Sequence, residues 1–579
     1  MRGRTESRTQ AAGYLPVMID ISRTLLITTI LILVYNVAYA VPPDSLFTNG
    51  RVYTVDKEHR WVEAIAVTGN TITAVGTDAT LAESAGPLTR VVDLGGRMVM
   101  PGIHDAHTHL LYAGLKWTHE CRLPTNTGRT AIVKALRECE DASPGNGWII
   151  AGEYNPNVFG DVQLDNGFLN RAFPNRPVYL YDFSIHHALV NAAALAAAGI
   201  DRDTPNPPNG VITRDPLTGL ETGELVETAT TLVTRVIPPY RDEIYDNALR
   251  FAVKRCHEFG ITSIQEASAT RRLLRMYRDL DSDSALNLNV TAHIVWNSEK
   301  WGNAAVADLD VLLAERATFA SDHVDVNAAK IWMDGAPLPP YFSEAGIDSE
   351  TGKPDYRNLL VKSEALALKL EEWRAAKIKA KIHVAGAGSV RVALDAIERV
   401  YGDRSTVDEP RPELAHNNLI DIKDIQRYAD LGVTAEMSPA IWHLGALKGF
   451  EVVNDWWPFA SLVSTGAHLT IGSDWILTPN PNLFPALGGA VTRERESINL
   501  VDAIDMMTRN GAAAVGRTRH FGSLEPGKLA NFIVLDRNLF DVRQEEIGDT
   551  RVLLTVFEGE SVYRHIDAPA SWDSSTNDR

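Results

Sequence analysis

Val99-Met100-Pro101-Gly102-Ile103-His104-Asp105-Ala106-His107-Thr108-His109-Leu110 is an apolar run that ends in a Pro-Gly turn and is followed by two histidines with one residue between them. In an extended strand, residues two apart point to the same face. His107 and His109 therefore project side by side, as two ligands of one ion must, and neutral imidazole is the commonest protein ligand for zinc and related metals.

Outward from this motif the pattern changes twice. Before it, residues 43–99 carry short strands. Leu46-Phe47-Thr48 leads into Asn49-Gly50, a hairpin-type turn, and Arg51 to Val55, Trp61 to Val67, Thr71 to Val75 and Val91 to Val99 follow. After it, from about Tyr240, helices and strands alternate. Ile261 to Ile264, Leu288 to Val295, Val324 to Met333, Lys379 to Val384, Leu414 to His416, Val433 to Met437 and Leu469 to Gly472 read as strands, with helices at Ile244 to Phe259, Ser363 to Lys377, Val390 to Tyr401 and Asp421 to Leu431. Such alternation implies a parallel sheet with crossover helices. The number of units over residues 100–510 predicts a (β/α)8 TIM barrel, with a doubly wound open sheet as the alternative. An insert covers roughly 119–235, with a helix near Thr130 to Glu140, strands at 148–152 and 178–181, an alanine-rich helix ending at Gly199, and a Pro-, Gly- and Asp-rich loop over 201–224. Past Gly511 β character returns, so residues 511–566 join 43–99 in one small β unit built from both termini. Residues 567–579 are polar and predict a disordered tail.

Arg23, the apolar run Leu25 to Val34 and the small-x-small sequence Ala38-Tyr39-Ala40 predict a signal peptide over residues 1–40 and export to the periplasm or medium; an uncleaved segment would anchor the chain in a membrane instead. The chain of 579 residues carries a net charge of -18 spread along its length, which argues against nucleic acid or an anionic membrane as the main partner. Its cysteines, Cys121, Cys139 and Cys256, allow one disulfide of unspecified pairing or three buried thiols.

Five further positions are polar within an apolar strand or just past its end, where a barrel carries its site. Lys330 lies in Ala328-Ala329-Lys330-Ile331-Trp332. A buried ammonium requires a partner such as Asp334 or a chemical modification, and a carbamylated lysine would bridge two cations. His383 ends one strand, His416 the next, and Asp474 follows a later one. With His107 and His109 they supply four imidazoles, a lysine and a carboxylate, a donor set for two metal ions with open positions for water and substrate. His186, in Ile185-His186-His187-Ala188, either contacts a substrate oxygen or caps the following helix, and the same two alternatives hold for His187. His104 reads as core or as a supporting residue, and Asp105 as the acceptor that orients a ligand imidazole.

These motifs together resemble the amidohydrolase superfamily. Pro101 to His109 is similar to its first-strand signature, and Lys330-Ile331-Trp332-Met333-Asp334-Gly335 to the fourth-strand lysine motif of the amidohydrolase family 3 branch, which includes formamide deformylases. His186 to Asn191, Gly472-Ser473-Asp474-Trp475 and Gly522 to Lys528 match the same branch. Three positions depart from it: His104 where an apolar residue is usual, Ser438 where Gln is common, and Asn531 where Asp is common. The resemblance implies a (β/α)8 barrel with a β-sandwich from both termini, His107 and His109 on the first metal, and Lys330 bridging as N6-carboxylysine. It further implies His383 and His416 on the second metal and Asp474 as last ligand and proton shuttle, with zinc as the usual ion. The expected reaction is hydrolysis of a small amide or formamide by water activated on the metal, with His186 at the substrate oxygen. A deaminase, cyclic-imide or ester hydrolase on the same site, or a non-catalytic binding protein, are the alternatives.

Overall fold

Eight parallel strands, taken in chain order, form one sheet: Ile103–Thr108, Ile261–Ala269, Asn289–Val295, Val324–Trp332, Lys379–Val384, Glu413–His416, Thr434–Met437 and His468–Ile471. The computed structural model describes residues 41–572 except 59, 124–125, 143–146, 161–163, 298–305, 339–340, 403–410 and 449. The sheet closes where the eighth strand returns to the first. Asp474 N donates to His107 O at 2.8 Å, His109 N donates to Trp475 O at 3.3 Å, and Thr108 bridges Trp475 in parallel. Only a glycine permits this approach, because a Cβ on Gly472 would lie 2.5 Å from His107 Cβ. Sequential order and closure make the fold the expected barrel and exclude the open doubly wound sheet. Most barrel-strand residues are buried, as both faces of a parallel barrel sheet require.

Two further sheets stack on each other below the barrel. One orders Thr71–Gly76, Ala64–Thr68, Ser45–Thr48 and Arg90–Asp93; the other orders Glu560–Arg564, Val552–Phe557, Phe532–Leu535, Met98–Pro101, Arg51–Tyr53 and Trp61–Val62. Phe47 from the first meets Phe532 from the second edge to face, with ring centroids 4.9 Å apart, in a core shared with Ile65, Val99 and Leu554. This is the sandwich expected from both ends of the chain. Asn49-Gly50 is not the predicted hairpin turn: it carries the chain from one sheet to the other, so the strands on either side of it never pair. Residues 567–572 also differ from the predicted disordered tail. Trp572 is buried, and its Nε1 donates to Asp93 O at 2.8 Å, giving the short segment an anchor its polar composition conceals.

Between the first two barrel strands stands a separate six-stranded sheet of residues 121–227. The stretch read as a loop over 201–224 contains the antiparallel pair Gly210–Arg214 and Glu221–Glu227, whose turn residues masked its strand character. Asn191, rather than either neighbouring histidine, caps the helix Ala192–Ala198, its side chain accepting from Ala194 N. Cys121 and Cys139 are joined in a disulfide, and Cys256 is a buried thiol. The predicted signal peptide lies outside the described residues, among which no helix is long and apolar enough to cross a membrane.

Candidate metal centre

Strand ends bring the predicted residues together at the C-terminal mouth of the barrel. His107 is on the first strand and His109 just beyond it, Lys330 is on the fourth, His383 on the fifth, His416 ends the sixth, and Asp474 follows the eighth. The imidazoles form a chain: ring centroids lie 5.4 Å apart for His107 and His109, 4.4 Å for His107 and His416, and 4.4 Å for His416 and His383. Asp474 sits among them, with Oδ1 3.5 Å from His109 Nε2 and 4.0 Å from His107 Nε2, and Oδ2 3.8 Å from His416 Nδ1. Ligand atoms of His107, His109 and Asp474 all fall within 4.8 Å of one another. His416 and Asp474 both adopt positive φ, 76° and 48°, conformations uncommon outside glycine and frequent where a site over-determines the backbone.

The polar atoms left over in this cluster test whether a metal fits. Among the described residues, His107 Nε2, His383 Nδ1, His416 Nε2 and Lys330 Nζ are buried without a hydrogen-bond partner. A buried polar atom left so is expensive, and a cation bound to these side chains would satisfy all four. The other nitrogens of two rings are committed: His107 Nδ1 lies 2.6 Å from Glu436 Oε2, and His383 Nε2 donates to Gly335 O at 3.0 Å. Each bond directs the lone pair of the opposite nitrogen into the cluster. Burial, followed by the Lys330 charge for His107 and His383 and the His383 charge for His416, holds these imidazoles far below their ordinary range, in the neutral form a metal takes. The donor set fits divalent ions such as zinc.

Lys330 is fully buried, and Asp334 is not its partner. The Asp334 carboxylate accepts from the backbone N–H groups of Ala345, Ala385 and Gly386 and from Ser389 Oγ. Burial, with the Lys381 charge next, pulls the Lys330 ammonium down to about 7. Its Nζ stands 4.9 Å from the centre of the Trp332 ring.

Supporting residues correct other expectations. Asp105 orients no imidazole: it accepts from His107 N and Ser473 N and from Ser473 Oγ, tying the first strand to the eighth. Glu436, on the seventh strand, holds His107 instead. It breaks the apolar run Ala435-Glu436-Met437 as Lys330 breaks its own, a signal available in the sequence but unused. Ser438 Oγ donates to Glu436 Oε1 at 3.1 Å, so this departure from the resembled pattern supports the same carboxylate. Below it, Lys381 donates to Ala106 O and Glu413 Oε1, and Lys379 to Glu413 Oε2. Although burial raises the Glu413 carboxyl, these two ammonium groups hold it well below the usual carboxylate range. His104 is core: its Nδ1 lies 2.9 Å from Ser263 Oγ, and burial pulls it down to about 3. His186 stands apart from the chain of rings, its Nδ1 2.9 Å from Glu227 Oε1.

The amidohydrolase family profile matches residues 90–563. The chain belongs to the amidohydrolase family. This amidohydrolase is 28% identical over 550 residues to N-substituted formamide deformylase of Arthrobacter pascens, an alignment covering 89% of this chain and 97% of the relative. It is 27% identical over 556 residues to the putative amidohydrolase YtcJ of Bacillus subtilis, covering 90% and 99%. In three dimensions the amidohydrolase matches an uncharacterized metal-dependent hydrolase from Pyrococcus horikoshii with a TM-score of 0.67 at 21% identity, over 86% of this chain and 99% of the other.

Proposed function

We propose that this amidohydrolase hydrolyses a non-peptide C–N bond, an amide or formamide of a small molecule, at a two-zinc centre. The observation that carries this reading is the set of buried, unpartnered His107 Nε2, His383 Nδ1, His416 Nε2 and Lys330 Nζ, with the Asp474 carboxylate beside the His107 and His416 rings. His107 and His109 would hold one ion and His383 and His416 the other, with Asp474 as a further ligand and Lys330, as N6-carboxylysine, supplying a ligand to both. Carbamylation would replace a buried amine that makes no ion pair among the described residues with a carboxylate. When bound, the metal lowers the pKa of water and polarises a carbonyl. Asp474 Oδ1 takes the proton released by the attacking water and returns it to the leaving nitrogen, so that acid and amine depart neutral overall. Glu436 keeps the His107 lone pair aimed at the centre throughout, and His186, fixed by Glu227, donates to the carbonyl oxygen as negative charge develops there. Similarity over 97% of the Arthrobacter pascens formamide deformylase supports the bond type. Export is the localisation we propose, supported by the N-terminal signal pattern and in keeping with the Cys121–Cys139 disulfide.

Two measurements test the reading. Elemental analysis of the mature chain, with and without bicarbonate, is expected to find close to two zinc ions per chain, with bicarbonate raising occupancy; a single ion indifferent to bicarbonate would remove the bridging role of Lys330. In a panel of amides, formamides, lactams, esters and aminated heterocycles, Asp474→Asn is expected to reduce turnover of the best amide by about 10^3 while largely keeping the metal. Undiminished turnover in that variant would show that Asp474 carries no proton, and preference for esters or heterocycles would reassign the bond.

A further inference from the structure

A cavity of about 460 Å3 lies between the barrel mouth and the insert and shares no lining residue with the metal centre. It is nonetheless close by. One wall is the helix Leu110–Thr118, which starts directly after His109, and another is Ile476, two residues past Asp474. Five tyrosines, Tyr112, Tyr179, Tyr181, Tyr240 and Tyr245, line the space together with aliphatic residues such as Ile150, Ile185 and Pro239. Glu120 faces it too, and Tyr181 OH donates to Glu120 Oε2 at 2.8 Å.

The charges around the cavity are unequal. Lys116 is committed to Glu153 and to Ile476 O. Arg272 is bonded to Asp242 and lies over the Tyr245 ring at 4.4 Å. Arg235 is exposed at the rim. Glu120 makes no ion pair among the described residues, and the Lys116 charge that reaches it is already bound to Glu153, so its carboxylate has no counter-ion of its own among the tyrosines. Burial pushes Glu120 up to about 7 against the pull of the Tyr181 bond and the Lys116 charge. After burial, the same carboxylate is the next cause that raises the phenols of Tyr181 and Tyr240, and it adds to the Asp182 charge in raising that of Tyr179.

Ring faces carry negative quadrupole charge and attract cations most strongly where water is excluded. A neutral guest would leave the carboxylate without a counter-charge, and an anion would be repelled by it. We propose that this cavity binds an organic ammonium ion with apolar substituents, its charge on Glu120 and its carbons against the tyrosines. The ammonium belongs either to a remote part of the substrate, whose reacting bond then reaches the metals, or to a free amine. Binding itself does not depend on the reaction proposed for the metal centre.

Calorimetric titration of the intact protein with choline and with its uncharged isostere 3,3-dimethylbutan-1-ol tests the idea without any turnover assay. Choline is expected to bind about 10-fold more tightly than the alcohol. Glu120→Gln is expected to remove that preference, Tyr240→Ala to weaken choline about 5-fold, and Tyr240→Phe, which keeps the ring, to leave it unchanged. Equal affinities, no choline binding, or a preference that survives in Glu120→Gln would overturn the proposal. Should Glu120→Gln misfold, the wild-type comparison and the two Tyr240 variants decide alone. Competitive inhibition of amide turnover by choline assigns the ammonium to the substrate, and binding without inhibition assigns it to a free amine.

Discussion

His323 is held between two carboxylates that belong to different parts of the chain. Its Nδ1 lies 2.6 Å from Asp281 Oδ1, on the helix Arg271–Ser282, and its Nε2 lies 3.1 Å from Glu558 Oε1, at the turn of the last hairpin of the sandwich. A neutral imidazole has one N–H and satisfies one of them; an imidazolium satisfies both. The Glu558 bond, opposed by burial and reinforced by Asp281, raises the ring from 6.5 to about 9. A folded-state value above the unfolded one stabilises the protein fully below about pH 6.5, and that stability is lost as pH rises through about 9. At about 1.36 kcal/mol per pH unit the displacement is worth about 3 kcal/mol. The ring retains 22% exposure, and screening there brings the contribution to about 2 kcal/mol. His323→Gln removes it. Thermal unfolding of both proteins from pH 6 to pH 10 is the assay. The wild type is expected to melt about 2–4 °C above the variant at pH 6, with the curves converging by pH 10. Parallel curves across that range would show that the clamp carries no charge-dependent stability.

Three other outcomes follow from particular contacts. Glu436→Gln weakens the hold on His107 Nδ1 and is expected to lower metal affinity about 10–100-fold, measured by competition with a chelator; unchanged affinity would assign His107 orientation to another group. Gly511→Ala drives a Cβ to 2.3 Å from the His104 ring in the barrel core, and a loss of about 1–3 kcal/mol in urea unfolding is expected, whereas no loss would mean that His104 moves aside freely. Replacing Cys121 and Cys139 by serine opens a loop closed across a separation of 18 residues, worth about 3 kcal/mol. Hydrogen exchange should then quicken in the insert sheet and not in the barrel strands; uniform protection would deny the disulfide a local role.

The candidate site residues visible in the sequence share one property. Lys330, His383, His416 and Asp474 each interrupt or end an apolar strand, and burial makes such an interruption expensive unless it has a purpose. Glu436 follows the same rule, but its partner His107 lies 329 residues away, so nothing local marks the pair. Asn49-Gly50 and the stretch 201–224 failed in opposite directions. The first has hairpin chemistry but joins two sheets, and the second has loop chemistry but contains paired strands. Turn composition reports that the chain bends, not which strand it meets after the bend.

Strand and helix periodicity, and the motifs that hold the candidate ligand residues, are properties of neighbouring residues, and so the barrel, the two-ended sandwich and the family could be read along the chain. The closure of the barrel on His107 through Gly472, the exchange of Asp105 for Glu436 as the imidazole anchor, the absence of an Asp334 partner for Lys330 and the pairing of Cys121 with Cys139 were settled only in three dimensions. Each joins groups brought together by packing, and packing energy depends on which surfaces meet rather than on how residues are spaced.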